Sequence, residues 1–497
     1  MEIEYWQSLI KWKKNMSKNW PNFIIILAFI ISSAISFYHF GNFSLDLDEI
    51  FTIRYAQEIN SVKFWEYFDR DLGNPPLFFF LLSQWIKISL AEPWLRLLPF
   101  LFWALSIFYS NKLMTSIKIS PAIRSIALMM MMGVGAYSYL SVYVRAYSLL
   151  LLISILTIYF TTQLIQNGFK MAGFTKLVFT IVAGFYTHYV YWVFLAFWGL
   201  VSLASVIKNG QVKSIFPIIA AVVSSVLLSI QIIWHLLSRE MLSEGRYYWW
   251  QIEGEHNPLS NLWALILKID HHSLTVTTNE IFGLIFWTTF MIIAYWGYKK
   301  SSSHGHTSLI AFSMVFWPVY MTTPLKEYLS QHKYTALFMY IFFISLACIW
   351  ENQQQIKTKL KNNPIFFFIA LTTIVWLIEP SPHKVQGGDD WKTMTSLAQG
   401  EYSNYAIITN CLEKDGFDYY SNYKLIVYQS RSLEWSDCEM PSIDEYKEKF
   451  DQILVVSDVK TPIGEIAATH TLVNTDDSYH PIFLSFYQRN QETGIDQ

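Results

Sequence analysis

Charge is what this chain has least of: Asp, Glu, Lys and Arg make up 15% of its 497 residues, against 53% hydrophobic and 18% aromatic. A soluble globular domain carries about a quarter charged residues, so this scarcity excludes a soluble enzyme and points to an integral membrane protein. Cysteine is also scarce, at 3 residues, which rules out a disulfide-built scaffold. The His-containing runs Asp270-His271-His272 and Ser303-His304-Gly305-His306 lack helical or finger spacing, so neither reads as a catalytic metal site. No strongly basic surface argues for nucleic acid. The formal net charge of -2 divides unevenly: from Ser381 onward 9 basic residues face 19 acidic ones, and before it 27 face 19. The +8 of the first part is explained by cytoplasmic loops, and the tail is acidic at -10.

What the chain does have is long apolar runs. Candidate spans centre on residues 23–40, 97–110, 122–142, 146–165, 175–187, 189–207, 214–237, 279–297, 307–323, 334–350 and 364–379, giving about eleven transmembrane helices. Lys11, Lys13, Lys14 and Lys18 precede the first run and place the N-terminus in the cytoplasm. The first run is too long, and followed by too many others, to be only a cleaved signal peptide. The segment from Pro76 to Leu90 reads as an interfacial helix, because that choice keeps Lys112, Lys118 and Arg124 inside together with Lys170, Lys176, Lys208, Lys213, Lys299 and Lys300.

This topology gathers the chemistry-bearing residues on the outer side. Outside lie the loop 41–75 with Asp48, Glu49 and Asp71, the Arg145/Tyr147 turn, His188, the loop 239–279, the turn 324–333 and everything after Glu379. Carboxylates beside a membrane boundary are costly to desolvate, so they either sit in water or do chemistry. The tail alternates β-rich runs (406–409, 424–428, 452–456) with polar stretches, and 442–450 reads as a capped helix. The expected organisation is a transmembrane catalytic domain over 1–380 and a small extracytoplasmic α/β domain over 381–497, with Gly387-Gly388 as hinge. An oxidising outer compartment would allow Cys411 and Cys438 to pair, an option that spacing alone leaves open.

Five motifs in order resemble one family. Leu47-Asp48-Glu49-Ile50-Phe51-Thr52 is similar to the "LDEayT" signature of bacterial GT-C glycosyltransferases, the membrane superfamily of protein O-mannosyltransferases and aminoarabinose transferases. Asp71-Leu72-Gly73-Asn74-Pro75-Pro76-Leu77-Phe78 resembles their "D-x-x-(H/N)-PPLyy", followed in them by an interfacial helix and an Arg-Leu pair, here Arg96-Leu97. Arg145-Ala146-Tyr147 resembles "EaRmYal", Tyr186-Thr187-His188-Tyr189 resembles "lYTHY", and Lys333-Tyr334 stands where "RYllP" is usual. Asp390-Trp391 resembles the "DWr" that opens a C-terminal soluble domain. The chain departs from the pattern with Asp46 before "LDE", Tyr143 in place of the Glu before "aRmY", and Lys333 for Arg.

The resemblance implies a polytopic GT-C fold in a bacterial inner membrane and an inverting transfer. The donor would be a sugar on a polyprenyl phosphate, and the acceptor an extracytoplasmic lipid, glycan or protein. Such a reaction needs a base, phosphate-binding cations and a membrane cavity. Asp48 is the candidate general base for the acceptor hydroxyl, since a single displacement at C1 needs no second carboxylate when the leaving group is already a phosphate. Glu49 would orient the acceptor or a metal, and Asp71 could complete a site for a divalent cation, magnesium or manganese. Arg145, Tyr147, His188 and Lys333 are the candidate substrate-binding residues.

Each has a plainer reading: solvated carboxylates for Asp48, Glu49 and Asp71, snorkelling cations for Arg145 and Lys333, and a satisfied interfacial ring for His188. The run Arg246-Tyr247-Tyr248-Trp249-Trp250 fits either a sugar platform or an interfacial aromatic belt. Two other classes remain open. A transporter or flippase of lipid-linked saccharides should carry ionisable residues near helix midpoints, and an anchor displaying the tail leaves the helices without a purpose.

Overall fold

The computed structural model describes residues 21, 23–38, 44–61, 75–133, 140–233, 276–301, 304–322 and 332–352, and in the tail 395–396, 398–400, 403–409, 420–421, 427–429, 452–457, 470–476 and 483–489. Asp71, residues 239–275 with the aromatic run and Asp270-His271-His272, the 364–379 span, Gly387-Gly388, Asp390-Trp391, Cys411, Cys438 and the 442–450 helix lie outside the described residues, while 276–279, expected as the end of a loop, begin a helix. Contacts divide the chain into two units, one of residues 1–38 and 60–383, the other of 39–59 and 384–497. The stretch carrying Asp48 thus groups with the tail.

The first unit is built from helices. In chain order they are α1 (Phe23–Tyr38), then, after α2 (Leu47–Gln57) of the second unit, α3 (Leu77–Trp85), α4 (Glu92–Ser116), α5 (Pro121–Gly133), α6 (Tyr147–Asn167), α7 (Met171–Phe185), α8 (Val190–Lys208), α9 (Ile215–Leu228), α10 (Val276–Lys300), α11 (His304–Thr322) and α12 (His332–Glu351). Among the described residues three of them, α4, α6 and α8, are long and apolar enough to cross a membrane. Helix α3 has 9 residues, about 13 Å of rise, and is too short to cross.

Sequence explains how these helices start and pack. Pro93 sits in the first turn of α4, where a missing N–H costs nothing. The α3–α4 connection is clasped by two tryptophans: Trp85 Nε1 donates to the Trp94 carbonyl at 2.7 Å, Trp94 Nε1 donates to the Trp85 carbonyl at 3.0 Å, and the rings stack at 4.4 Å. Helix α6 is apolar all round and correspondingly buried along most of its length. Where apolar surface gives no preference among partners, small hydroxyls set contacts between helices. Ser313 donates to Ser345 Oγ at 2.8 Å, Ser345 reaches the Leu309 carbonyl at 2.7 Å, and Thr157 pairs with Tyr191 at 2.7 Å. His306, one of the rejected metal candidates, ties α11 to its neighbours through the Ile117 carbonyl at 2.9 Å and Asn352 Oδ1 at 3.0 Å.

The second unit holds a five-stranded sheet of β1 (Ala406–Thr409), β2 (Val427–Gln429), β3 (Gln452–Ser457), β4 (His470–Asp476) and β5 (Phe483–Arg489), in the order β2-β1-β3-β5-β4. The first three strands run parallel and the last two antiparallel, with a register shift between Leu472 and Asn474. Ile407, Ile408, Ile453 and Leu454 are buried in the two central strands, as continuous apolar runs require where a sheet is covered on both faces. Helix α2 belongs to the same unit, and the Tyr420 hydroxyl accepts from the Leu45 N–H at 2.7 Å just before it.

Candidate functional site

In the second unit, Asp48 lies in the first turn of α2, and the sequence around it is a helix start. Asp46 is the N-cap: its Oδ1 accepts from the Glu49 N–H at 3.1 Å, while Glu49 Oε2 accepts from the Asp46 N–H at 3.0 Å. This reciprocal pair is a capping box. Glu49 is 2% exposed, so a carboxylate expected to orient an acceptor or metal also holds the turn that presents its neighbour. Asp48 remains half-buried, and its backbone carbonyl accepts from Thr52 Oγ1 at 2.7 Å. Carboxylates in the first turn of a helix interact favourably with its positive end. The sequence signal for the role of Asp46 is an Asp three residues ahead of a Glu.

In the first unit the structure brings Arg145, Tyr147 and His188 together around the N-terminus of α6. Tyr147 stacks on Tyr143, with ring centroids 6.0 Å apart and planes within 5°, and its ring centroid lies 5.6 Å from that of His188. Tyr143, Tyr147 and His188 are all buried, and Arg145 is 9% exposed. The turn that carries Arg145 is tight, its N–H donating to the Tyr143 carbonyl at 2.7 Å. His188 sits in the turn closing α7, where its Nδ1 accepts from the Val190 N–H at 3.1 Å. The neutral ring therefore carries its proton at Nε2 and presents a donor there. Leu77 N–H, the first after two prolines, donates to the Tyr186 carbonyl at 2.9 Å and so ties the Pro-Pro segment to the same turn.

Arg96 is the residue that sequence reasoning passed over. It stood only as half of an Arg-Leu pair, yet it is 2% exposed and its Nη1 donates to the Val142 carbonyl at 3.3 Å, at the base of the Arg145 turn. Two buried guanidinium groups and a His thus converge on one turn at the positive end of a 21-residue helix whose N-cap, Ala146, supplies no side-chain cap. Cations beside a helix N-terminus work against its dipole, and an anion bound there would be favoured by both. Lys333 is the second residue of α12. Among the described residues no group of three or more His, Cys, Asp or Glu gathers to hold a metal ion.

These features define a multi-pass helical membrane protein with a basic, aromatic-lined turn at one set of helix ends. Searches by sequence find no match, either to a protein-family model or to a curated protein. By structure the chain is similar to ArnT from Cupriavidus metallidurans, both in the apo state (TM-score 0.59, 9% identity) and bound to undecaprenyl phosphate (TM-score 0.57, 10% identity), each superposition covering 94% of this chain and 98% of ArnT. The chain therefore shares the fold of ArnT over nearly its full length.

Proposed function

We propose that the protein is an inverting glycosyltransferase that moves a sugar from a polyprenyl-phosphate-linked donor to an extracytoplasmic lipid, glycan or protein. The observation that carries this reading is the buried Arg96, Arg145 and His188 group at the uncapped N-terminus of α6, in a chain whose fold matches ArnT over nearly its full length. Arg145 and the donating Nε2 of His188 would bind the donor's phosphate, with Lys333 as a further cation. A guanidinium suits a phosphate because it offers paired donors in a fixed fork. The structure of ArnT with undecaprenyl phosphate lends the lipid class to the proposal.

In the proposed reaction the acceptor hydroxyl oxygen forms a bond to C1 of the sugar, its proton passes to the Asp48 carboxylate, and the bond from C1 to the phosphate oxygen breaks. Polyprenyl phosphate leaves with that electron pair, its charge stabilised by Arg145. Inversion follows from the single displacement. Glu49 keeps the turn that presents Asp48, and with Asp71 it is the candidate pair for a divalent cation. The protein would sit in a bacterial inner membrane with its N-terminus in the cytoplasm and the tail outside.

The transporter reading is disfavoured by where buried charge lies. Among the described residues Glu49, Arg96, Arg145 and Glu351 are the buried Asp, Glu, Lys or Arg, and each falls within two turns of a helix end rather than at a helix midpoint. The test is to incubate reconstituted protein with radiolabelled polyprenyl-phosphate sugars and membrane acceptors. Asp48→Asn should abolish label transfer while donor binding persists, and Arg145→Ala should raise the donor KM more than the acceptor KM. Unchanged turnover of Asp48→Asn would refute the base assignment.

A further inference from the structure

A second feature lies at the other end of the α6–α7 hairpin from His188. Phe160 of α6 and Met171, Ala172, Thr175, Lys176 and Phe179 of α7 line an open groove of about 630 Å³. Met171 is 65% and Phe179 71% exposed, so the groove presents apolar walls outward. Its charge is gathered at one end, where Lys170 stands at the N-cap position of α7 and Lys176 follows one and a half turns later, both exposed; Thr175 and Thr180 are the other polar lining residues. Helix α7 has 15 residues, about 22 Å of rise, and that length separates this end from the Tyr186–His188 turn.

The sequence supplies an independent observation. Between Glu92 and Glu240 the chain contains no Asp or Glu, while Arg96, Lys112, Lys118, Arg124, Arg145, Lys170, Lys176, Lys208, Lys213 and Arg239 contribute ten cations. Within this stretch no carboxylate accompanies the lysines at the groove, whose charge favours an anion there. An apolar trough with lysines at a single end matches one ligand chemistry: an acyl chain ending in an anionic headgroup.

We propose that this groove is a binding site for an anionic glycerophospholipid, distinct from the donor site. One acyl chain lies along Phe160, Met171 and Phe179, and the headgroup phosphate is held by Lys176 and Lys170 beside the positive N-terminus of α7. The site does not depend on the transferase reading, because nothing in it touches the Arg145 turn.

The test is native mass spectrometry of the full chain released from nanodiscs containing equal parts phosphatidylglycerol and phosphatidylcholine. The wild type should retain phosphatidylglycerol in preference. The Lys170→Glu/Lys176→Glu variant should lose that retention by at least about tenfold, as two reversed charges near a headgroup require. Thr175→Trp, which fills the trough and leaves both lysines, should lower retention of either lipid, and Lys213→Glu, outside the groove, should leave it as in the wild type. Equal retention of the two lipids by the wild type, or unchanged retention in the charge-reversal and Thr175→Trp variants, overturns the proposal. So does a groove occupied by a second copy, which would appear as a dimer that Thr175→Trp dissociates.

Discussion

Gly184 is where packing and the candidate donor site meet most directly. It lies in the last turn of α7, and its carbonyl accepts from the N–H groups of Thr187 (3.1 Å) and His188 (3.4 Å), so its position sets that of the His188 turn. A Cβ at 184 would fall well inside van der Waals contact with Cδ1, Cε1 and Cζ of the Tyr191 ring. That ring cannot easily retreat, being fully buried with its hydroxyl bound to Thr157 Oγ1 at 2.7 Å. Gly184→Ala should therefore cost about 1–3 kcal/mol of overpacking. A further ~0.6 to 1.7 kcal/mol is lost if the ring moves and breaks its bond to Thr157. An SDS-unfolding titration of reconstituted protein reads the stability, and donor KM reads the displacement of His188. The discriminating measurement is the cycle with Tyr191→Leu, which opens the space the new methyl needs. The double variant should be less destabilised than the sum of the singles by about 1–3 kcal/mol. A fully stable Gly184→Ala, or strict additivity in the cycle, would show that the contact does not limit the turn.

Other variants test other joints. Asp46→Ala removes the N-cap and one half of the capping box, and should cost about 0.5–2 kcal/mol of α2 stability while lowering transfer, whereas Asp46→Asn should retain most of both; circular dichroism and label transfer check the pair. Arg96→Ala should raise the donor KM and leave the acceptor KM near the wild type, because Arg96 reaches Val142 at the base of the Arg145 turn; equal effects on both substrates would assign it a purely structural role. Ser345→Ala removes the hydroxyl that accepts from Ser313 and reaches Leu309, and should destabilise the α11–α12 contact by about 0.6 kcal/mol without changing activity, read by SDS unfolding.

The parts of the fold legible in the sequence were those written in hydrophobicity. The runs at 146–165 and 189–207 fall within a few residues of α6 and α8, because an apolar stretch of bilayer length has few other stable states. The run at 97–110 falls inside α4 but is shorter than it: Glu92, Pro93 and Arg96 interrupt the apolar pattern ahead of the run, and Asn111 and Lys112 end it. Strands β1 and β3 followed from β-branched runs, while β2 sits at 427–429, the C-terminal end of its predicted run. Local chemistry was legible only where it recurs as a motif. The Tyr-Thr-His-Tyr and Arg-Ala-Tyr segments were found that way, and the structure joins them through the Tyr147 and His188 rings.

What escaped the sequence was anything defined by two distant segments. Arg96 precedes Val142 by 46 residues, and the sequence marks it only as half of an Arg-Leu pair; its meaning comes from α4 and the 140–146 turn lying side by side. The Asp46 box shows the converse, a purely local signal: an Asp three residues ahead of a Glu at a helix start. Both residues act one step behind the proposed chemistry. Asp46 shapes the turn presenting Asp48, and Arg96 braces the turn presenting Arg145. Substituting either should therefore weaken transfer without removing a reacting group, and recovery by Asp46→Asn but not by Asp46→Ala would separate holding the turn from supplying the charge.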